Sequence, residues 1–290
     1  MLSSRKFLVN SSIAAAAALL APSLVFAADK KIVGLQLYSL RDELPLDVKG
    51  TLAKVAEAGY KEVELYGFST KNQFWGLTPI ELKKILDANG LKAVSGHYSL
   101  GTYFADDDMT ELMASIEACK VLGSKFLTIP WLAPEVRATA EDYKKVAAKL
   151  NEIGSITRAS GIKTSYHNHD FEFAKFGSET GYDILLKNTD KKYVDFELDL
   201  YWLVRSQNDP KAFFAANPGR FTMWHVKDMD KADPKLNAEV GTGSIDFKSI
   251  FAEAKISGMK NFFVEHETNY KPNPLASIAQ SCTYVKAELI

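Results

Sequence analysis

Eight times along this chain, a short run of β-branched and aromatic residues gives way to a longer stretch with helical periodicity. That alternation argues for strand–helix units building a parallel sheet. The strands read near 32–37 (IVGLQL), 61–66 (KEVELY), 91–97 (LKAVSGH), 125–129 (KFLTI), 162–167 (IKTSYH), 193–199 (YVDFELD), 221–226 (FTMWHV) and 261–265 (NFFVE). Helices are expected near 47–58, 79–88, 108–122, 139–160, after Ser178 or Thr180, and near 210–216, 247–257 and 274–289. Pro79 suits a first helical turn and Gly161 a helix stop. A loop of about 20 residues after the seventh strand exceeds the usual two to six. Eight such units in about 260 residues predict an α/β fold, a single (β/α)8 TIM barrel. An open, doubly wound sheet would usually carry a Gly-rich turn after its first strand. Here that turn, QLYSLRDEL (36–44), has no glycine.

The first 27 residues are expected to lie outside this domain, which would run from 28 to 290. Arg5 and Lys6 precede an apolar stretch, IAAAAALLA (13–21), too short to span a bilayer. Val25, Phe26 and Ala27 form a small-x-small cleavage signal, so a signal peptide and a periplasmic destination are expected. SSRKFL approaches a twin-arginine motif but has Ser4 in place of one arginine, which leaves the export route open. No later segment is long and apolar enough for a membrane span. Without residues 1–27, 33 Lys and Arg face 36 Asp and Glu, a net charge of −3. A mildly acidic chain without basic runs argues against nucleic acid as partner. The two cysteines, Cys119 and Cys282, fall in the third and eighth helical segments, which are not barrel neighbours. They are expected to be separate buried thiols. A homo-oligomer is compatible with the sequence, which does not fix the assembly.

Barrel enzymes place their chemistry at the C-terminal strand ends. All five histidines, His97, His167, His169, His225 and His266, fall at predicted strand ends. So do Gln36, Glu64, Glu197, Asp199, Lys227, Glu265 and Glu267. Glu197 and Asp199 are two apart and therefore share a face. Facing outward they would meet the helix layer at a high desolvation cost, so the barrel mouth suits them better. Glu64 in VELYG fits the same argument. Carboxylates mixed with imidazoles suit a divalent metal such as Mn, Co, Zn, Fe or Mg. A metal there would polarise a carbonyl, and a carboxylate could remove the proton beside it. Trp75, Trp131, Tyr98, Tyr103 and Trp202 lie just past strand ends and offer flat faces for a sugar ring, or simply close the barrel top.

The segments GLQLYSLRDEL (34–44), VELYG (63–67), SGHYS (95–99), YHNHDFEF (166–173), LDLYW (198–202), HVKD (225–228), EVGTGSIDF (239–247) and FFVEHE (262–267) follow one another through the whole predicted domain. In that order they resemble the sugar phosphate isomerase/epimerase-like enzymes of the xylose-isomerase-like barrel superfamily. The resemblance implies a metal held by residues at the ends of strands five to eight, and Asp199, His225 and Glu265 match three of those positions. At the strand-five position many relatives carry Glu-Asn-His, whereas this chain has His167-Asn168-His169. His167 therefore becomes the expected fourth ligand and removes one carboxylate base. A histidine can also act as an acid, which suits elimination or hydration as well as epimerisation. Inosose dehydratases and lyases or epimerases acting on 3-keto-glycosides are relatives of that kind.

The resulting expectation is a metal-dependent isomerase, epimerase or lyase for a small carbohydrate. Glu265, His167 and Lys227 would be catalytic. His167, Asp199, His225 and Glu265 would hold the metal. Gln36, Glu64, His97, His169, Trp131, Trp202 and Glu267 would contact substrate. A non-catalytic carbohydrate-binding barrel is the competing class. An endonuclease-type relative would want a basic face, which a net charge of −3 does not supply.

Overall fold

The structure, a computed structural model, describes residues 32–290. The expected signal peptide (1–27) and the first residues of the expected domain lie outside the described residues. Eight parallel strands close into a barrel: β1 (Gly34–Gln36), β2 (Glu62–Phe68), β3 (Lys92–Tyr98), β4 (Phe126–Ile129), β5 (Lys163–His167), β6 (Val194–Asp199), β7 (Phe221–Val226) and β8 (Asn261–Val264). Each strand pairs with its sequence neighbours, and β1 closes the ring on β8 with Gly34 opposite Phe263. The sheet thus has no free edge. Among the described residues no helix is long and apolar enough to cross a membrane.

The outer helices begin where local chemistry dictates. Thr78 with Glu81, Thr139 with Asp142 and Thr180 with Asp183 each form a reciprocal capping box. Each box satisfies otherwise orphaned amides of the first turn. At the N-terminal end of the barrel, Phe126, Met223 and Phe263 form a small apolar plug. A Cβ on Gly34 would stand 2.5 Å from the Phe263 ring, so only glycine leaves the plug room at that point. Cys119 and Cys282 are buried and unbridged, as expected.

Several elements depart from the sequence reading. β1 stops at Gln36 because the Gln36 side chain accepts a hydrogen bond from the Tyr38 amide, which starts a 3-10 turn over Leu37–Leu40. Short helices at Gly101–Asp106 and Leu200–Arg205 were not anticipated. The second begins at the strand end itself, where the Asp199 side chain caps it through the Trp202 amide. The segment expected as one helix near 247–257 is two, Phe247–Phe251 and Ala254–Ser257. The long loop after β7 is tied down by Asp228, whose carboxylate accepts from the amides of Met229, Gly241, Gly243 and Ile245 at 2.8–3.2 Å. A Cβ on Gly243 would collide with that carboxylate, which accounts for the glycine in EVGTGSIDF.

Candidate active site

At the C-terminal mouth of the barrel, inward side chains from six strands meet. Their centre is His225 on β7, fully buried. Its Nε2 lies 2.6 Å from Glu64 Oε2 and 3.2 Å from Glu197 Oε2, while Nδ1 lies 3.0 Å from Glu265 Oε2. His97 on β3 stacks on His225 with ring centres 5.3 Å apart. Its Nε2 is 2.8 Å from Glu197 and 3.2 Å from Glu64. His167 Nδ1 stands 3.2 Å from the same Glu197 oxygen, without the angle of a hydrogen bond. Gln36 donates to Glu64 at 2.7 Å.

A second group lies at the end of β6 and just past the ends of β7 and β8. Lys227 Nζ is 2.6 Å from Glu267, 3.3 Å from Glu265 and 4.0 Å from Asp199. Asn168 clamps the Asp199 backbone by accepting from its amide at 3.0 Å. Above these groups opens a cavity of about 510 Å³, walled by Tyr38, Tyr66, His97, Trp131, His167, His169, Trp202, Glu265 and Glu267. That volume is within the usual range for a small-molecule site. Another cavity, of about 440 Å³, lies at the opposite strand ends beside Glu62, Lys92 and Asn261 and holds none of these clustered groups.

Burial and charge set the protonation states. Burial disfavours a charged His225, but Glu197 and Glu265 outweigh it and hold its pKa well above the ordinary value. His97, against the same burial, is raised to about 9 by Glu64 and Glu197. His167 is pushed well below the ordinary value, first by burial and then by the neighbouring His225, and His169 falls to about 3 by burial and Lys227. Burial raises Asp199 to about 7 despite Lys227. Burial opposes ionisation of Glu265, yet Lys227 and His225 hold it below the usual carboxylate range. Glu64 and Glu197 share the same imidazoles. Glu64, with the shorter contact to His225 and the Gln36 amide, is the ionised member, and burial raises Glu197.

These residues fit a divalent cation. Ligand atoms of His97, His167, Glu197 and His225 lie within 4.8 Å of one another, and so do those of Asp199, His225 and Glu265. Buried Glu64 Oε1, Glu197 Oε1, Asp199 Oδ2 and His167 Nδ1 have no hydrogen-bond partner. Buried polar atoms are normally satisfied, so such a concentration in one place calls for a ligand.

The structure brings together nearly all the site residues expected from sequence. Of the expected metal set, Asp199, His225 and Glu265 converge, and His167 converges on the same His225 together with His97 and Glu197. Gln36 and Glu64, expected to touch substrate, are fully buried beneath the cavity, where they orient His225. Tyr98 and Tyr103 are buried in the core, and Trp75 packs on Tyr66 without lining the cavity. Burial and the neighbouring His225 hold the His167 pKa low, which suits a ligating imidazole. Trp131, half exposed, and Trp202 do line the cavity. His266 faces away, stacked on Tyr270 and bonded to the Thr268 carbonyl oxygen.

Sequence reasoning placed Glu197 at a strand end but gave it no role, although its same-face spacing from Asp199 was the signal. It gave no role to Glu172, a buried carboxyl raised by burial to about 7 and held by the Tyr166 hydroxyl and the His169 amide. Nothing in the DFEF stretch distinguishes it from an exposed loop acid.

A closed (β/α)8 barrel with ionisable side chains gathered at its C-terminal mouth is the architecture of barrel enzymes. The chain belongs to the xylose isomerase-like TIM barrel family, whose profile matches residues 52–288. The family includes sugar isomerases, epimerases and dehydratases. An inosose dehydratase of Lacticaseibacillus casei is 24% identical over 265 residues, 80% of this chain and 86% of that one. Another, from Lactiplantibacillus plantarum, is 27% identical over 170 residues, 52% of this chain and only 56% of its own length. A sugar phosphate isomerase/epimerase structure from Parabacteroides distasonis superposes with a TM-score of 0.79 at 29% identity, covering 90% of this chain and 96% of that one. The zinc-bound IolI protein shares the fold, with a TM-score of 0.68 at 17% identity over 89% of this chain and 99% of its own.

Proposed function

We propose that this protein is an exported, divalent-metal-dependent enzyme that removes a proton beside the carbonyl of a keto-sugar or keto-glycoside, leading to isomerisation, epimerisation or elimination. The observation that carries the reading is Glu265, an ionised carboxylate on the cavity wall, held between Lys227 and His225. Such a group can accept a proton from a substrate carbon lying in the cavity. Lys227 fixes the position of Glu265 and holds it in the charged form. His169, kept neutral, and Glu267 offer hydrogen bonds to hydroxyls, and Trp131 and Trp202 offer ring faces to a sugar. A divalent cation, held by the groups converging on His225, would supply Lewis acidity to the carbonyl. Export rests on residues 1–27, and it favours a substrate met outside the cytoplasm. The partner is then a small carbohydrate, with neither nucleic acid nor membrane span required.

An NMR screen of keto-sugars and keto-glycosides in deuterated water, with Mn²⁺ or Co²⁺ restored after chelation, tests this. Deuterium should enter beside the carbonyl with the wild type and not with Glu265→Gln, and the product separates epimerisation from elimination. Full activity after chelation would refute the metal requirement. Tight sugar binding without deuterium uptake would mark a binding protein instead.

A further inference from the structure

We propose that a second cavity beside the catalytic one is an aglycone subsite, and that the substrate is a glycoside carrying an apolar, aromatic aglycone, not a free sugar. The inference rests on the keto-glycoside reading above and says which glycosides the site takes.

This second cavity, of about 360 Å³, lies at the same end of the barrel, between the segments that follow β3 and β4. It shares Ser99 and Trp131 with the catalytic cavity, so the two adjoin at that indole. Leu100, Phe104, Leu132 and Val136 wall it, and Glu135 is the one charged side chain on its lining among the described residues. Gly101, Phe104 and Ala105 stand three and four residues apart on the short helix Gly101–Asp106 and therefore share a face. The walls are held in place. Lys149 donates to the carbonyl oxygens of Tyr103 and Phe104 at 2.9 and 3.1 Å, and Arg137 donates to that of Leu132 at 2.9 Å. A pre-formed apolar pocket with few polar groups is what small-molecule sites usually offer.

The two cavities differ in chemistry. The catalytic one presents His97, His167, His169, Glu265 and Glu267, which suit hydroxyls and a carbonyl. A free sugar there would leave the apolar wall of its neighbour in water. One molecule that fills both is polar at one end and apolar at the other, with Trp131 at the junction. A glycoside has that form: its sugar meets the ionisable groups, and its aglycone enters between the two segments. Trp131 is 51% exposed, and among the described residues no ring packs on it, whereas Trp75, Trp202 and Trp224 each pack on another ring. An apolar surface left open at a cavity marks a binding groove, and aromatic rings favour stacked or edge-on partners. An aryl aglycone supplies such a partner to Trp131 and Phe104.

Phenyl and methyl β-glucoside test this on the wild-type protein, because neither carries the carbonyl that the reaction needs and binding is read alone. NMR titration should show the phenyl glucoside binding at least about tenfold more tightly, the least that one methylene achieves in an apolar pocket. Saturation transfer should fall most strongly on its phenyl protons. Ala105→Phe, which fills the pocket, and Val136→Asp, which charges its wall, should each bring the ratio below about threefold, under that span. Thermal melts are the folding control. Equal binding of the two glucosides, binding of neither, or a ratio that survives both substitutions in folded protein would overturn the subsite. So would free phenol binding as tightly as the phenyl glucoside, since the sugar would then contribute nothing. A wild-type dimer in sedimentation that both substitutions dissociate would assign the face to a second copy instead. A subsite that passes while keto-glycosides take up no deuterium would leave this inference standing and remove the proton-abstraction reading.

Discussion

Replacing Lys227 by Met tests the electrostatic core of the site. The ammonium is buried, 2.6 Å from Glu267 and 3.3 Å from Glu265. At an effective dielectric of about 20, each contact amounts to roughly 5–6 kcal/mol of attraction before desolvation. Desolvation of the ammonium offsets much of that. Cutting one partner out of a buried ion cluster nonetheless costs about 3–5 kcal/mol, because the remaining carboxylates are left uncompensated. At about 2–4 °C per kcal/mol for a domain of this size, Lys227→Met should melt roughly 10 °C lower at neutral pH. The pH dependence separates this cause from lost packing. Lys227 depresses the folded-state pKa of Glu265, so its stabilisation is present above the ordinary carboxylate pKa and is lost only as pH falls through the depressed value. In the variant Glu265 titrates higher and its protonation relieves it. The gap between wild type and variant should therefore be widest near pH 8 and narrow towards pH 5. Denaturant melts at both pH values measure it. Coupling to Glu265 adds a second check: in a Glu265→Gln background the Lys227→Met loss should shrink by at least about 1 kcal/mol. An equal loss at pH 5 and pH 8, with no coupling, would refute the argument and leave a packing defect.

Glu172, raised by burial to about 7, weakens the fold as pH rises from about 4.5 through about 7, a difference worth roughly 3 kcal/mol. Glu172→Gln should therefore gain on the wild type between pH 5 and pH 8 in urea unfolding. Asp228→Ala removes the acceptor for four backbone amides and should cost about 3 kcal/mol or more, with faster hydrogen exchange at Gly241 and Gly243. Trp131→Ala should raise KM for an accepted sugar by roughly threefold to tenfold, the worth of one aromatic face, with the melting temperature nearly unchanged. Because Cys119 and Cys282 are unbridged, a reductant should leave the melt unaltered, and thiol titration after unfolding should find both.

The strand–helix alternation specified repeated parallel units, whose strands bury both faces and need a helix between each pair, and the count of eight with a glycine-free turn after the first strand favoured a closed barrel over an open sheet. Polar residues that end those strands had to face the mouth, because the helix layer would not tolerate them, and this made His97, Asp199, His225 and Glu265 legible from sequence alone. Strand periodicity says which residues point inward, but not which inward residues meet. That is decided by the stagger of the closed sheet, which puts Glu64 of β2 and Glu197 of β6 against the same imidazoles of His97 and His225. The same closure sets Lys227 against Glu265 and buries Tyr98 and Tyr103 where the sequence left them at the rim. Local pattern therefore determined the barrel and the residue types at its mouth. Only the tertiary structure decided how they group, because cross-strand contacts between distant segments leave no periodic trace in the chain.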